Sequence, residues 1–328
     1  MELAMRDLRH KARAVLFTAI LASCAAAAAA SPPAPLKQVP APIHAYASSE
    51  MILAATRAGQ RLVAVGDHGV VLLSDDDGRS YRQARAVPTS ATLTAVSFSD
   101  ARNGWAVGHL GVILHTSDGG ETWVLQRSDT SVDQPLFSVY FTDAEHGVAA
   151  GLWSLLLITA DGGHVWKPVV LQPPPGSKHA DRNLFAIFSN HKGSLFIAAE
   201  RGAVLRSDDQ GASWSYLNTG ARGSFWTGCA LKDGTLLVAG LRGHVYRSTD
   251  DGQTWNAVPS GTMNSITDII DDGGQVAAVG LDGVELRSRD GGLTFGVKQR
   301  DDRLALTAAV AASNGALHLF SVAGVVNP

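Results

Sequence analysis

The sequence predicts an all-β protein, a seven-bladed β-propeller of four-stranded antiparallel blades with Asp-box turns. A short motif recurs six times, and its third residue, an aspartate, repeats at steps of 42, 43, 48, 41 and 40 residues. A strand-rich repeat of about forty residues is typical of a propeller blade. The composition agrees, because 34 glycines and a charged fraction of only 17% suit a turn-rich β protein with a large core.

The repeated motif is a turn, the Asp-box, with the pattern Ser/Thr-x-Asp-x-Gly-x-Ser/Thr-Trp. The aspartate of such a turn accepts hydrogen bonds from nearby N–H and hydroxyl groups, and the glycine permits positive φ. Val165 replaces the second hydroxyl residue of the third copy, and Phe295 replaces the tryptophan of the sixth. We expect a structural and not a catalytic role for the six aspartates, which are Asp76, Asp118, Asp161, Asp209, Asp250 and Asp290.

Each repeat contains four short β-rich segments separated by turn signals. Residues 304–328 begin a seventh blade but are too few for four strands. Because an open ring would expose sheet edges, we expect residues 36–43 to supply the missing outer strand and close the ring. Six or eight blades are the alternatives. The six complete blades are predicted at residues 50–86, 91–128, 136–170, 183–218, 224–259 and 264–299.

Residues 1–30 are predicted to be a signal peptide, since a basic segment precedes an apolar segment and a run of small residues. Two interpretations remain open. Cleavage falls within the run Ala25–Ala30, or the sequence ending at Cys24 is a lipoprotein box and Cys24 is lipidated. Both place the mature protein outside the cytoplasm, in the periplasm or lipid-anchored to a membrane. Residues 31–45 are then a linker with the closing strand, and residues 46–328 form the propeller.

Charge and cysteine content limit the partners. Loss of residues 1–30 removes four basic and two acidic residues, which leaves a mature charge of about −5 and disfavours nucleic acid as a partner. Cys229 is the only cysteine after the signal, so we expect no intramolecular disulfide and a buried apolar role. The sequence has no phosphate loop, nucleophile elbow or metal-binding motif. We expect no metal, no cofactor and a monomer.

The repeats resemble the photosystem II stability and assembly factor family and its relatives in non-photosynthetic bacteria. The resemblance is clearest in Leu93–Trp123, which follows the pattern L-x-A-V-x-F, then G-W-A-V-G-x-x-G-x-I-L-x-T-x-D-G-G-x-T-W. It covers nearly all of the chain after residue 45. It implies an extracytoplasmic seven-bladed propeller that is not an enzyme and that binds a membrane-protein complex as an assembly factor or scaffold.

A carbohydrate-active or carbohydrate-binding protein, similar to Asp-box glycoside hydrolases, is the alternative. Sialidases share these boxes, but they need an arginine triad, a tyrosine nucleophile with a glutamate partner and an acidic aspartate. The sequence lacks the Arg-Ile-Pro segment of that family, and none of its five tyrosines adjoins a suitable glutamate. We therefore expect no catalytic residues.

The partner-binding residues are expected on the propeller face opposite the Asp-boxes. That face carries the turns between the second and third strands and the connections between blades. Tryptophan and arginine are enriched in binding hot spots, which favours this set. The candidates are His68, His109, Trp153, Arg201, Arg222, Arg242 and Asp282, together with Lys178, His179, Arg182, Arg300 and Arg303.

Overall fold

Seven antiparallel sheets follow one another along the chain in a computed structural model that describes residues 38–190 and 192–326. In six sheets the four strands pair in chain order, and the seventh has three strands. The strands of blades 1–4 are β1 Ile52–Ala58, β2 Arg61–Gly66, β3 Val71–Ser74, β4 Arg82–Gln83, β5 Leu93–Phe98, β6 Gly104–Gly108, β7 Ile113–Thr116, β8 Val124–Arg127, β9 Leu136–Phe141, β10 His146–Gly151, β11 Leu156–Ala160, β12 Lys167–Pro168, β13 Leu184–Ser189, β14 Leu195–Ala199, β15 Val204–Ser207 and β16 Ser215–Leu217. Those of blades 5–7 are β17 Phe225–Ala230, β18 Leu236–Gly240, β19 Val245–Ser248, β20 Asn256–Val258, β21 Ile266–Asp272, β22 Gln275–Gly280, β23 Val284–Ser288, β24 Gly296–Gln299, β25 Leu306–Ala311, β26 Leu317–Ser321 and β27 Gly324–Val326.

The seven-bladed, all-β prediction is confirmed, and all six predicted blade ranges enclose the observed strands. Within the described residues, the only helical elements are three-residue 3₁₀ turns. No helix there is long and apolar enough to cross a membrane. The core lies between blades, where the two faces of each sheet are packed against its neighbours.

The first strand of every blade carries a β-bulge directly after its first residue. In blades 2, 6 and 7 the bulged residue is a threonine whose hydroxyl links its blade to the next. Thr94 Oγ1 donates to the carbonyl of Leu136 at 2.6 Å. Thr267 Oγ1 donates to the carbonyl of Leu306 at 2.8 Å, and Thr307 Oγ1 donates to that of Ile52 at 2.5 Å. These threonines therefore link the first strands of blades 2 and 3, of blades 6 and 7, and of blades 7 and 1.

Each Asp-box packs against the preceding blade. Trp123 is buried, and its indole N–H donates to the carbonyl of Gly120 at 2.9 Å within the same box. Gly120 has a φ of +91°, and a Cβ there would lie 3.1 Å from a methyl group of Leu73 in blade 1. A box therefore joins two blades as well as two strands.

Side chains, and not an exchanged strand, join blade 7 to blade 1. The ring of Tyr81 packs edge-to-face on Phe320 with centroids 6.0 Å apart. Asp77, in the first box, accepts hydrogen bonds from Arg57 at 2.5 Å and from the Ser313 hydroxyl at 2.6 Å. Arg57 also donates to the carbonyl of Ala311 at 2.8 Å. The contacts of Tyr81 with Phe320, Asp77 with Ser313 and Arg57 with Ala311 connect residues more than 230 positions apart in the sequence, whereas Arg57 and Asp77 both belong to blade 1.

The prediction that residues 36–43 form a closing strand is wrong as far as the structure describes them. Residues 38–43 contain no strand and lie against blade 1. Ala41 N–H donates to the carbonyl of Val87 at 3.0 Å, and the Gln83 side chain donates to that of Pro42 at 2.7 Å. Residues 36 and 37 of the predicted strand lie outside the described residues, as do the signal peptide and Cys24. The prediction failed because packing between blades closes the ring without a shared sheet.

Candidate partner-binding face

The propeller presents two faces with different turns. The box face carries the Asp-boxes, which join the third strand of a blade to its fourth, and the turns between the first and second strands. The connection face carries the turns between the second and third strands and the segments that link blades. All the predicted partner-binding residues lie on the connection face, as their places in the chain required.

The second-to-third turns share one backbone conformation in six blades. Each is a 3₁₀ turn whose middle residue has a φ between 52° and 60°. This left-handed conformation is unusual for residues other than glycine. Because all six blades adopt it, the conformation belongs to the fold and does not single out one blade. The residues at these six tips are His68, Leu110, Trp153, Arg201, Arg242 and Asp282.

Three arginines on blades 4 and 5 have guanidinium groups that are exposed and form no ion pair with the described residues. Arg201 and Arg242 occupy turn tips, and Arg222 lies in the connection between these two blades; all three are exposed. Among the described residues, no carboxylate or other acceptor bonds to their guanidinium groups. Trp153, at the tip of blade 3, is 60% exposed, and its N–H donates to Asn183 Oδ1 at 3.1 Å. Blades 3–5 therefore offer an exposed indole beside unpaired positive charge.

The other candidate tips are tied to neighbouring polar groups. His109 Nδ1 lies 3.0 Å from a carboxylate oxygen of Asp133. Burial opposes ionisation of Asp133, but hydrogen bonds from Leu110 N–H and His109 lower its pKa overall. His68 lies 3.4 Å from a carboxylate oxygen of Glu50. Blades 1 and 2 thus present histidines that already face carboxylates.

Asp282 and several basic residues of the connections are also occupied. The Asp282 carboxylate accepts hydrogen bonds from Arg303 and Gln299, both at 2.8 Å. Arg300 forms two hydrogen bonds to Asp302. Arg182 donates to the carbonyl of Glu200 at 2.9 Å and is half-buried, whereas Lys178 and His179 are exposed.

Three aromatic residues that sequence analysis did not select lie where the first strands begin, next to the connections between blades. Phe137, Phe185 and Trp226 occupy the bulge positions of blades 3, 4 and 5, and each is half-buried. The two phenylalanine rings stack with centroids 5.7 Å apart. The turns of Trp153 and Arg201 pack against the first strands of blades 4 and 5, which carry Phe185 and Trp226. The turns of Trp153 and Arg201 are therefore direct neighbours of the strands that carry Phe185 and Trp226.

Two shallow grooves flank the free arginines. A groove of about 360 Å³ beside Arg201 includes Pro174 and Tyr216. A second, of about 470 Å³, beside Arg242 includes Tyr246 and Met263, a residue that is 74% exposed. The connection face thus combines cations, aromatic rings and apolar depressions within blades 3–5.

The carboxylates of the six Asp-boxes are engaged within their own turns. Asp250 accepts hydrogen bonds from the Ser248 hydroxyl at 2.8 Å, from Thr254 N–H at 2.9 Å and from the Thr254 hydroxyl at 2.6 Å. The hydrogen bonds from Thr254 lower the pKa of Asp250 to about 2. The third box has only the first two types of bond, because Val165 has no hydroxyl. These carboxylates are acceptors already in use.

Residues suited to metal or nucleophilic chemistry are not grouped together in the described residues. No cluster of three or more His, Cys, Asp or Glu side chains there could hold a metal ion. Cys229 lies on β17, and burial raises the pKa of its thiol. Burial also raises the pKa of Asp268 on the neighbouring strand β21, whose carboxylate accepts Ala309 N–H at 3.0 Å.

Comparison of the sequence with known proteins gives assembly factors of photosystem II. A family model described as Photosynthesis system II assembly factor YCF48 matches residues 125–284. Photosystem II assembly protein Ycf48 of Thermosynechococcus vestitus is 41% identical over 140 residues, which cover 41% of this chain and 38% of that relative. The chloroplastic photosystem II stability/assembly factor HCF136 of Cyanidioschyzon merolae is 34% identical over 83 residues, which cover 25% of this chain and 17% of that relative. The matches thus span well under half the length of these curated relatives.

Comparison of the structure with solved structures supports the fold. The structure of YCF48 bound to D1 peptide superposes with a TM-score of 0.67 at 18% identity, covering 88% of this chain and 94% of that one. YCF48 from Cyanidioschyzon merolae superposes with a TM-score of 0.66 at 18% identity, covering 89% and 97%. The family model and the relatives in sequence do not favour the glycoside hydrolase alternative. The resemblance predicted from the repeats is confirmed: this chain is similar to the photosystem II stability and assembly factor family of Asp-box propellers.

Proposed function

We propose that this protein is a non-enzymatic, extracytoplasmic propeller that binds a peptide segment of a membrane-protein complex and assists its assembly. The observation that carries the proposal is the surface on blades 3–5, where Trp153 and three unpaired arginines adjoin half-buried aromatic rings. Arginine supplies cationic donors for carboxylates, and aromatic rings supply apolar contact area at low entropic cost. Such a surface suits a peptide that carries both acidic and apolar side chains.

The comparisons support a peptide as the ligand. One solved structure with the same fold is described as YCF48 bound to D1 peptide, and the relatives in sequence are named as photosystem II assembly proteins. For this protein we propose the same class of ligand, a segment of a membrane-protein complex. The partner in this organism is then whichever membrane complex the protein meets outside the cytoplasm, reached from the periplasm or through a lipid anchor at Cys24.

The proposal is tested by removing the exposed anchors of the connection face. The variant combines Trp153→Ala, Arg201→Ala and Arg242→Ala, and it should keep the wild-type melting temperature because exposed turn positions contribute little to stability. Loss of such anchors commonly costs about 2 kcal/mol or more of binding free energy, so the dissociation constant should rise about thirtyfold and recovery of the partner should fall sharply. The measurement is quantitative mass spectrometry of proteins that co-purify with the tagged propeller from solubilised membranes.

The matched control alters the other face. Arg289 and Leu293 are exposed in the Asp-box of blade 6, and the combined Arg289→Ala and Leu293→Ala variant should recover the partner as the wild type does. Full recovery with the triple variant would show that the connection face is not the binding surface. An equal loss with both variants would also count against it.

A further inference from the structure

Blade 7 differs from the other blades in its outer edge. Its described residues form three strands, and the last of them, β27 Gly324–Val326, has no neighbour on its outer side. In each other blade a fourth strand follows the Asp-box and covers this position. An uncovered strand edge presents unpaired N–H and C=O groups, which are a template for another extended chain.

The fourth strand of a blade is preceded by an aromatic residue that fills the interface with the blade before it. Trp255 of blade 5 packs with Phe188 and Phe196 of blade 4, and Phe295 of blade 6 packs with Leu237 of blade 5. Blade 7 has no Asp-box and no such aromatic residue in its described part. A groove of about 660 Å³ lies at the corresponding place, between blades 6, 7 and 1.

The lining of this groove indicates what it would accept. Its floor is apolar, with Leu317 and Leu319 of β26 and Val326 of β27, all half-buried. Its rim carries four basic residues, Arg79, Arg287, Lys298 and Arg300, and two carboxylates, Asp77 and Glu285.

Most charges of the rim are already paired. Arg287 lies 2.6 Å from a carboxylate oxygen of Asp272, Arg300 is bonded to Asp302, and Lys298 lies 3.5 Å from Glu285. Asp77 is bonded to Arg57 and Ser313. Arg79 is exposed and makes no ion pair with the described residues. Its free guanidinium favours a ligand with an acidic side chain at that point of the rim.

We propose that the groove binds an extended, acidic segment of a partner protein as the fourth strand of blade 7, with an aromatic side chain placed between blades 6 and 7. The chain's own linker suits the site poorly. Residues 38–49 are already placed against blade 1 and beside β27, and residues 31–37 include Pro32, Pro33 and Pro35, which lack the N–H that a paired strand donates. This inference concerns blade 7 and does not rest on the binding surface of blades 3–5.

The test uses a probe built from the protein itself. A synthetic, fluorescein-labelled peptide with the sequence of residues 117–127, SDGGETWVLQR, carries the box of blade 2 without its first residue, followed by the fourth strand, and is acidic overall. Its binding to the mature protein is followed by fluorescence anisotropy, and hydrogen–deuterium exchange locates the contact. We expect saturable binding, slower exchange in residues 317–326, and at least a tenfold weaker affinity for the probe whose tryptophan is replaced by alanine.

Protein variants show whether the groove itself is responsible. Arg79→Glu reverses the free charge at the rim and should weaken probe binding at least tenfold at an unchanged melting temperature. Arg289→Glu makes the same charge change in the Asp-box of blade 6, outside the groove lining, and should leave binding unaltered. Equal effects of the two variants, absence of binding, or protection elsewhere in the ring would overturn the proposal.

Two other occupants of the edge would be revealed by the same measurements. Slow exchange of residues 324–326 in the protein without probe, at a monomer mass, would mean that another part of the chain covers the edge. A concentration-dependent dimer that the probe dissociates would mean that a second copy covers it. Either result would overturn the assignment to a partner protein.

Discussion

Replacement of Asp118 by alanine tests how an Asp-box holds its turn. Asp118 accepts hydrogen bonds from the Thr116 hydroxyl at 2.8 Å, from Thr122 N–H at 2.9 Å and from the Thr122 hydroxyl at 2.6 Å. Thr116 is only 1% exposed, so water cannot replace the lost acceptor, and an unsatisfied buried donor costs about 1–3 kcal/mol. The two donors of Thr122 are half-exposed and can bond to water, so each contributes roughly 0.5 kcal/mol.

The sum is a loss of about 2–4 kcal/mol in the free energy of unfolding. For a single domain of this size, about 1 kcal/mol corresponds to roughly 2 °C, so the melting temperature of Asp118→Ala should fall by about 4–8 °C. Differential scanning calorimetry and circular dichroism at neutral pH measure this difference. Asp161→Ala is the matched control, because the third box lacks one of the three bonds, and its melting temperature should fall less.

The pH dependence of the same difference gives a second check. Burial opposes ionisation of Asp118, but the hydrogen bonds from Thr122 outweigh it and lower the pKa below the ordinary value of 3.8. Stability from a carboxylate of lowered pKa is present above pH 3.8 and is lost as the pH falls through the folded-state pKa. The difference in melting temperature between wild type and Asp118→Ala should therefore become smaller in acid. A gap that is constant down to pH 2, or a larger loss for Asp161→Ala, would refute the reasoning.

Two further predictions concern ring closure and anchoring. Asp77→Asn should lower the melting temperature more than Asp251→Asn, although both residues hold the same box position at a φ of 55°. Asp77 bonds across the closing interface to Ser313, and it also bonds to Arg57 of its own blade, which donates to the carbonyl of Ala311 in blade 7, whereas Asp251 bonds to the exposed Lys192. Equal melting temperatures would mean that these bonds do not stabilise closure. Cys24→Ala should move the protein from the membrane to the soluble fraction on cell fractionation if the lipoprotein interpretation is right, and an unchanged distribution would favour ordinary cleavage within residues 25–30.

The number and limits of the blades could be predicted because they depend on local sequence. Each blade needs its own turn residues and its own β-rich segments, so the period is visible in the sequence. Ring closure depends instead on residues far apart in the chain, such as Arg57 with Ala311 and Tyr81 with Phe320. The sequence near residue 304 does not show that a three-stranded blade 7 can close the ring by packing alone. The sequence therefore favoured an exchanged strand, which the described residues do not form.

The sequence was enough to predict the face on which the candidate residues lie, but not which of their side chains are free and which are paired. Position in the repeat was enough to assign His109, Asp282 and Arg201 to the connection face. Their pairing was not predictable, because the partners Asp133 and Arg303 come from blade connections with no repeat pattern. Sequence reasoning therefore gave equal weight to arginines that are free and to side chains that are already bonded.

The aromatic residues at the bulges were missed because a phenylalanine in a β-rich segment is expected in the core. The structure shows why blades 3 and 5 can carry rings there. Where blades 2, 6 and 7 use a bulge threonine to link first strands, blades 3 and 5 use the next residue: the Ser138 hydroxyl accepts Ile187 N–H at 2.9 Å, and the Thr227 hydroxyl accepts Ile269 N–H at 3.2 Å. The link between blades is kept, and the bulge position is released for an aromatic side chain. Blades 3 and 5 thus carry an aromatic side chain at the bulge and still keep a hydrogen bond to the next blade.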